Sequence, residues 1–264
     1  MNSYLKLFRK FFAFASITFF SLNIFFCYSA IAYNSQDQQN LAQNRKCVKC
    51  DFTGINLSGT FLNEVNISES NLSKANLTSA YIDGANLNHA NLIYADLSDA
   101  SLNGTNLKHA RLNGAKLKNI DLNQADLYKA DLSGAFLTEA KIYNSSLEGA
   151  RLTKANLSGI YLRESNLKYA NLVKANLSNA IIGSTSEREA TNFYKANLNN
   201  AILKNANLVG VNFNEAVLVD ADLSGADLRY ANLKGATLNG AKLDSARLSG
   251  AIMPDGNVDS DSDE

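Results

Sequence analysis

Two histidines and a closely spaced pair of cysteines are the residues of this chain with the most chemistry to offer. His89 and His109 lie twenty residues apart, and Glu69 and Lys129 extend the same spacing on either side. A metal would need a third and a fourth ligand within reach. Glu69 would suit a cation, whereas the ammonium of Lys129 would repel one, so the four read as an exposed polar series. Cys47 and Cys50 form a C-x-x-C pair. A redox role needs a βαβ setting that the flanking sequence lacks, and two thiols are too few for zinc. Two readings stay open for them, a structural disulfide or two buried small hydrophobes. Serines are abundant but sit among turn residues, and neither histidine has a buried carboxylate beside it. Glycines occur singly, which excludes a phosphate-cradling loop. The expectation is no catalytic residue, no metal, no cofactor and no small-molecule substrate.

Composition and charge set what must position these residues. The 264-residue chain has one proline, no tryptophan and much Leu, Ala and Asn, a bias that suggests a repeat. Twenty-five basic and twenty-five acidic residues cancel, which argues against a nucleic-acid partner. Lys6, Arg9 and Lys10 precede an apolar run over 11–26, and Ala30-Ile31-Ala32 is a small-x-small site. Residues 1–32 therefore read as a signal peptide cleaved between Ala32 and Tyr33. Membrane contact would follow only if that segment stayed uncleaved. Cleavage removes three basic residues, leaving twenty-two against twenty-five acidic, and leaves Cys47 and Cys50 as the remaining cysteines. Residues 33–46 are a polar lead-in, expected to include a short helix that caps the repeat region.

From Phe52 an apolar residue recurs at every fifth position to Ile182, and again from Phe193 to Met253. All forty such centres are apolar and thirty-two are Leu. Two residues before most centres stands a small residue, as in Ala75, Ala80, Ala85 and Ala90, with a residue between that is usually Asn or Asp. On a helix, five residues advance the direction by about 140° net, so the leucines would spiral round it. On a flat strand an odd period sends alternate leucines to opposite faces. The chain must turn once per repeat. A short extended piece points the small residue and the centre inward and the polar residue outward, and the other two residues make the corner. Larger inner residues such as Ile55, Val65, Ile120, Ile160 and Val211 add volume. Cys47 falls at a centre and Cys50 at a small inner position.

The repeated A-[N/D]-L-x-x pattern, as in Ala75-Asn76-Leu77 and Ala95-Asp96-Leu97, resembles the pentapeptide-repeat family over about three quarters of the chain. The resemblance implies an all-β fold, a right-handed quadrilateral β-helix with four repeats per coil and about ten coils over 47–254. It also implies a type II topoisomerase as an alternative partner, through mimicry of DNA. That role needs an acidic face, and residues 51–253 carry nineteen acidic and nineteen basic residues. The start, Cys47 to Phe52, and the end, Ala251 to Gly256, are similar to those of exported cyanobacterial members. The periplasm or the thylakoid lumen is then the expected compartment, with extracellular release as a further destination.

Irregularities are where function would lie. Across 183–191 the centres Ile182 and Phe193 are eleven apart instead of ten, which reads as one extra residue in a bulge or small loop. Glu187, Arg188 and Glu189 in that stretch would form a recognition knob. Phe61 and Tyr81 replace the outward polar residue on one face, and Tyr161 and Ile181 do so further along it. These are candidate contacts for an unknown protein partner. Residues 255–264 are acidic and expected to be disordered. The sequence thus points to a non-catalytic exported scaffold or interaction rod.

Overall fold

Each repeat must find partners for five backbone N–H groups, and the repeat around Leu77 illustrates how it does so. In the computed structural model, which describes residues 35–183 and 190–260, the Leu77 N–H donates to the Asp96 carbonyl at 2.7 Å and the Ser79 N–H to the Ser98 carbonyl at 2.9 Å. Both bonds reach the next coil. The Tyr81 N–H donates to the Thr60 carbonyl of the preceding coil at 2.9 Å, and the Ala80 N–H closes the corner onto the Leu77 carbonyl at 3.1 Å. The fifth donor, the Thr78 N–H, has no backbone partner and goes to Oδ1 of Asn76 at 3.1 Å. This is the physical reason for Asn or Asp in the outward slot. The side chain accepts the N–H two residues on, which no neighbouring coil can reach.

That bond recurs along the rod, for example from Ser68 to Asn66, from Lys168 to Asn166 and from Ser178 to Asn176. Asn176→Ala should strand the Ser178 N–H, now 3.0 Å from its acceptor. The expected loss is about 1 kcal/mol, read as a lower urea midpoint, whereas Asn176→Asp should leave the midpoint nearly unchanged.

Corners close through an i→i+3 bond with the third residue at positive φ, the signature of a type II turn. Glycine takes that place at Gly54, Gly59 and Gly84, but Lys74, Ser79 and Tyr94 adopt the same φ of 54–59°. A left-handed residue with a Cβ costs about 1–2 kcal/mol, and here its N–H is bonded to the coil above.

Parallel bridges join outward residues twenty apart, from Lys46–Asn66 and Asp51–Asn71 to Tyr161–Ile181. Twenty residues therefore make one coil with four paired positions. The centres and small residues fill the interior in alternation, Leu132, Ala130, Leu152 and Ala150 being at most 1% exposed. The larger inner residues Ile55, Val65, Ile120, Ile160 and Val211 are buried as well. Corner bonds at these residues span 3.1 to 3.4 Å, from Ile55 and Val211 to Val65 and Ile120. The Val65 and Ile120 N–H groups lie 3.4 Å from the turn carbonyl, against 3.0 Å for Ala75.

Across the interruption the register changes to twenty-six, with Asn166 on Asn192, Asn171 on Asn197 and Ile181 on Asn207. The reading of one extra residue spread over two repeats is thereby corrected. Six residues are inserted at a single corner, and Ile182 and Phe193 are centres of consecutive sides. Eleven residues fit either count; the bridge of Asn192 to Asn166 decides between them and fixes the place of Thr191. It occupies the small inner slot, fully buried, its hydroxyl donating within reach of the Leu162 and Ile182 carbonyls at 2.9 and 3.0 Å. Ser145 and Ser165 hold the same slot in the two preceding coils, where the Ser165 hydroxyl accepts the Ser145 N–H in place of the usual turn carbonyl. This corner is already built differently before the insertion arrives.

Both ends are closed, by different means. Helix α1 (Ser35–Asn44) lies at the first coil, with Leu41 buried and the Asp51 N–H donating to Asp37 Oδ2 at 3.1 Å. At the other end the chain reverses at Asp255-Gly256, and Val258 pairs antiparallel with Ile252. The Asp259 N–H donates to the Ala251 carbonyl at 2.8 Å and the Gly250 N–H to the Asp259 carbonyl at 2.9 Å. The expectation of a disordered tail over 255–264 is corrected for its first part, because a positive-φ glycine and the Asp255 side chain set a hairpin there. The expected signal segment with Ala32 and Tyr33, the residues Glu187, Arg188 and Glu189, and the last four residues lie outside the described residues.

Candidate functional site

The outward slot normally supplies the corner acceptor, so an aromatic residue there removes one. Phe61 and Tyr81 do this in successive coils, and the corners after Tyr81 and Ser101 take their acceptor from the coil before. The Asp83 N–H donates to Oδ1 of Asn63 in the coil before it at 3.0 Å, and the Asn103 N–H to Oδ1 of Asp83 at 2.8 Å. Asn63 and Asp83 are first corner residues, two after the aromatic in each case. The same bond from Tyr143 N–H to Asn123 Oδ1 at 2.8 Å follows Lys141 in this column, so the relocated acceptor lets the outward slot hold residues other than Asn or Asp. Sequence reasoning missed this pairing of F-L-N and Y-I-D, although the substitution is written in both repeats.

Phe61 and Tyr81 bridge to one another and stack with ring centroids 4.8 Å apart and planes 7° from parallel. They are 50% and 45% exposed. Phe61 is the first bridged residue on its side of the rod, and Ser101 follows Tyr81. The pair therefore forms a small isolated apolar step. Tyr161 and Ile181 continue the same column through Ser101, Asp121 and Lys141, and bridge to one another. Both are only half-exposed. The register thus brings the four residues onto one side as two separate pairs. Other large apolar side chains are as exposed, among them Tyr94, Phe136, Tyr169 and Tyr230, but they are scattered over other columns. Tyr94 lies across Gly114 and Tyr230 across Gly250, where a Cβ would meet the ring at 2.5 and 2.7 Å. Those two rings use glycine corners as seats.

The other candidates fall into place on the same lattice. His89 and His109 stack at 4.8 Å, His109 meets Tyr128 edge-on at 5.6 Å, and the Lys129 ammonium lies 5.0 Å from the Tyr128 ring. Glu69 in that column pairs with Lys49 at 3.4 Å, so the imidazoles have a cation on one side and an ion pair on the other. Cys47 and Cys50 are joined as a disulfide with Cα atoms 5.7 Å apart, both inward at the first coil. Asp37 lies close enough to complete a three-ligand cluster, but the joined sulfurs offer no thiolate.

A cleft of about 290 Å³ opens beside the insertion, lined by Arg163, Gly183, Asn207, Val209, Asp227, Arg229 and Tyr230. Its one carboxylate is tied up. Arg229 forks onto Asp227, with Nε to Oδ1 at 2.8 Å and Nη2 to Oδ2 at 2.7 Å, and Arg247 reaches Oδ2 at 3.4 Å. The Arg229 hydrogen bonds are the main reason the Asp227 carboxyl stays below its ordinary value, with burial opposing and the Arg229 and Arg247 charges adding to the depression. A carboxylate with a lowered pKa contributes stability that is present above about pH 3.8 and is lost as the pH falls through the folded value. Asp227→Asn should therefore narrow the gap between the melting temperatures at pH 7 and pH 3. An unchanged gap would show that this ion pair does not contribute.

A family model of pentapeptide repeats matches the chain in eight copies, over residues 46–142, 145–182 and 191–253. The chain belongs to the pentapeptide-repeat family. Members of this family, including those of known structure, are right-handed β-helices. HetL from the cyanobacterium Nostoc sp. strain PCC 7120, a pentapeptide-repeat protein involved in heterocyst differentiation regulation, is 31% identical. That match covers 87% of this chain and all of HetL, with a TM-score of 0.55. QnrB1, a plasmid-mediated fluoroquinolone resistance protein, is 21% identical over 71% of this chain and 89% of its own, with a TM-score of 0.50. The likeness to QnrB1 is one of fold. No curated protein sequence matches the chain. The breaks in the repeat match fall at Tyr143-Asn144 and at the insertion, both on the altered corner. Among the described residues no helix is long and apolar enough to cross a membrane.

Proposed function

We propose that this pentapeptide-repeat protein is an exported, non-catalytic scaffold that binds a protein partner through the Phe61–Tyr81 step. The observation that carries the reading is that stacked, half-exposed pair, together with the relocation of the corner acceptors to Asn63 and Asp83. With the Tyr81 corner held from Asn63 of the preceding coil, the two aromatics are left where a partner can cover them. Tyr161 and Ile181 extend the contact along the same side. The register, continued over residues 47–253, gives about ten four-sided coils, which is a long, straight surface and a poor enclosure for a substrate. The charged n-region, apolar run and Ala30-Ile31-Ala32 site support export, to the periplasm or the thylakoid lumen.

The test is affinity purification of the tagged protein from its native compartment, beside Phe61→Ser/Tyr81→Ser. The reading predicts a stoichiometric protein that is recovered with the native chain and lost with the double variant. Equal recovery on both would overturn the assignment of this surface. Intact mass of the exported chain gives the export reading its own check, since cleavage predicts a chain that starts at Tyr33. The topoisomerase alternative predicts inhibition in a gyrase supercoiling assay. The balanced charge of residues 51–253 argues for none.

A further inference from the structure

We infer that the occupant of the Phe61–Tyr81 step is a cationic segment of its partner, an arginine- or lysine-bearing strand or loop held by the aromatic faces and by the carboxylates around them. The inference rests on the reading of that surface as a partner site. It adds the chemistry of what binds there.

The argument comes from how the solenoid turns sequence blocks into bands along its axis. Charge balances over the whole repeat region, but it is not evenly placed. Residues 45–105 contain six carboxylates, those of Asp51, Glu64, Glu69, Asp83, Asp96 and Asp99, against four cations, Arg45, Lys46, Lys49 and Lys74. Residues 106–182 contain eleven basic and six acidic residues. Because each twenty-residue block is one coil, this asymmetry becomes an acidic band at the start of the rod and a basic band at its middle. The aromatic step lies in the acidic band. Lys74 falls on the corner diagonally opposite it in the four-sided register. Lys49 at the start of the rod pairs with Glu69 on a different corner.

Around the step the local geometry agrees. Asp83 stands two residues after Tyr81. Its Oδ1 accepts from the Ser101 hydroxyl at 2.6 Å and from the Asn103 N–H at 2.8 Å, which holds the carboxylate against the coil after Tyr81. Glu64 stands three residues after Phe61, on the same corner as Asp83. The stem of Glu64 passes over Gly84, with Cγ at 3.5 Å from where a Cβ would stand. On the other flank Gly59 meets nothing within 4 Å, and Asp99 lies one coil beyond Ser79 in the same corner column. The Arg45 guanidinium donates to the Asn63 carbonyl on the Phe61 corner, which ties this cation to the backbone. The outer face of a stacked ring, with Glu64 and Asp83 on the adjoining corner, is a setting in which a guanidinium or ammonium is bound by cation–π attraction and charge together. An acidic segment would meet repulsion, and a purely apolar one would leave the negative charge of the corner uncompensated.

The test uses the full chain and defined probes. Fluorescein-labelled nonapeptides carrying three arginines are titrated by anisotropy against the native protein, Phe61→Ser/Tyr81→Ser and Asp83→Asn. Matched peptides carry citrulline, the neutral isostere, or glutamate. The inference predicts saturable binding of the arginine peptide, at least tenfold weaker binding to the aromatic double variant, and no binding of the citrulline or glutamate peptide. Melting temperatures of the variants within a few degrees of native keep a folding defect from imitating the result. Equal arginine-peptide affinity for native and double-variant protein would overturn it, because attraction would then come from charge elsewhere, such as the acidic C-terminus. Binding of the citrulline peptide would overturn it also. If no peptide discriminates, yet the purified partner is still lost with the double variant, the surface reading stands and the cationic occupant falls. If the partner too is indifferent, both fall.

Discussion

Leu132→Ala is expected to lower the stability of the rod by about 2–5 kcal/mol, the range for emptying a fully buried leucine site. Leu132 is wholly buried in mid-rod, with Leu112 and Leu152 one coil away on either side and each about 1% exposed. Collapse into the cavity is resisted by the backbone ladder. The Leu132 N–H is held on the Arg151 carbonyl and the Leu112 N–H on the Asp131 carbonyl, both at 2.7 Å. Coils locked at their own edges cannot move inward to refill the space, which argues for the upper half of the range. In a solenoid each coil contacts only its neighbours, so a mid-rod defect weakens two interfaces at once. Leu243→Ala should cost less, since Leu243 lies in the last coil and is only half-buried. Urea denaturation of the two variants side by side measures the difference. Equal losses would mean that position along the rod does not matter.

Gly183→Ala should be nearly as damaging, for a different reason. A Cβ at this position would stand 2.3 Å from the Val209 amide nitrogen and 2.7 Å from its carbonyl oxygen. Those are backbone atoms of the next coil, so no side chain can swing aside. The clash falls where the Gly183 N–H donates to the Asn207 carbonyl at 2.8 Å, at the start of the insertion. The expected loss is about 3 kcal/mol, the upper end for overpacking a filled site. Gly59→Ala is the control. Gly59 has a φ of +64° and open space around it, so only the left-handed backbone penalty of about 1–2 kcal/mol applies. A thermal melt that ranks Gly59→Ala below Gly183→Ala would contradict the tight approach of the two coils at the insertion.

The fold was largely legible in the sequence because one constraint repeats. Leucines five apart exclude helix and flat strand, and a turn per repeat is what remains. The inward places of Cys47 and Cys50 follow from position alone, and the shared column of Phe61, Tyr81, Tyr161 and Ile181 from position together with the four repeats per coil that the family resemblance implies. The job of the outward Asn was not legible, since it depends on which backbone N–H a neighbouring coil leaves over, and that needs the hydrogen-bond ladder. For the same reason the compensation by Asn63 and Asp83 went unseen. The insertion was misjudged because eleven residues divide as ten and one or as five and six. Thr191, polar by type, hides its hydroxyl on carbonyls of the chain and so fills an inner slot usually given to alanine. The ordered hairpin after Pro254 was missed because an acidic composition outweighed one glycine turn. The axial charge bands are present in the sequence but average away in a net charge.

Every surface assignment rests on the register, and pairs of engineered cysteines across the insertion test it most directly. With Cys27→Ser as background, Ile181→Cys/Asn207→Cys and Ile181→Cys/Ile202→Cys are oxidised and their digests read by mass spectrometry. Paired residues on adjacent parallel strands lie about 4.8 Å apart, within reach of a disulfide. The twenty-six-residue register across the insertion, with Ile181 on Asn207, predicts that the 181–207 pair closes and the 181–202 pair does not. Closure of 181–202 in its place would restore the one-residue slip, move every later side of the rod by a quarter turn, and contradict a six-residue insertion at this corner.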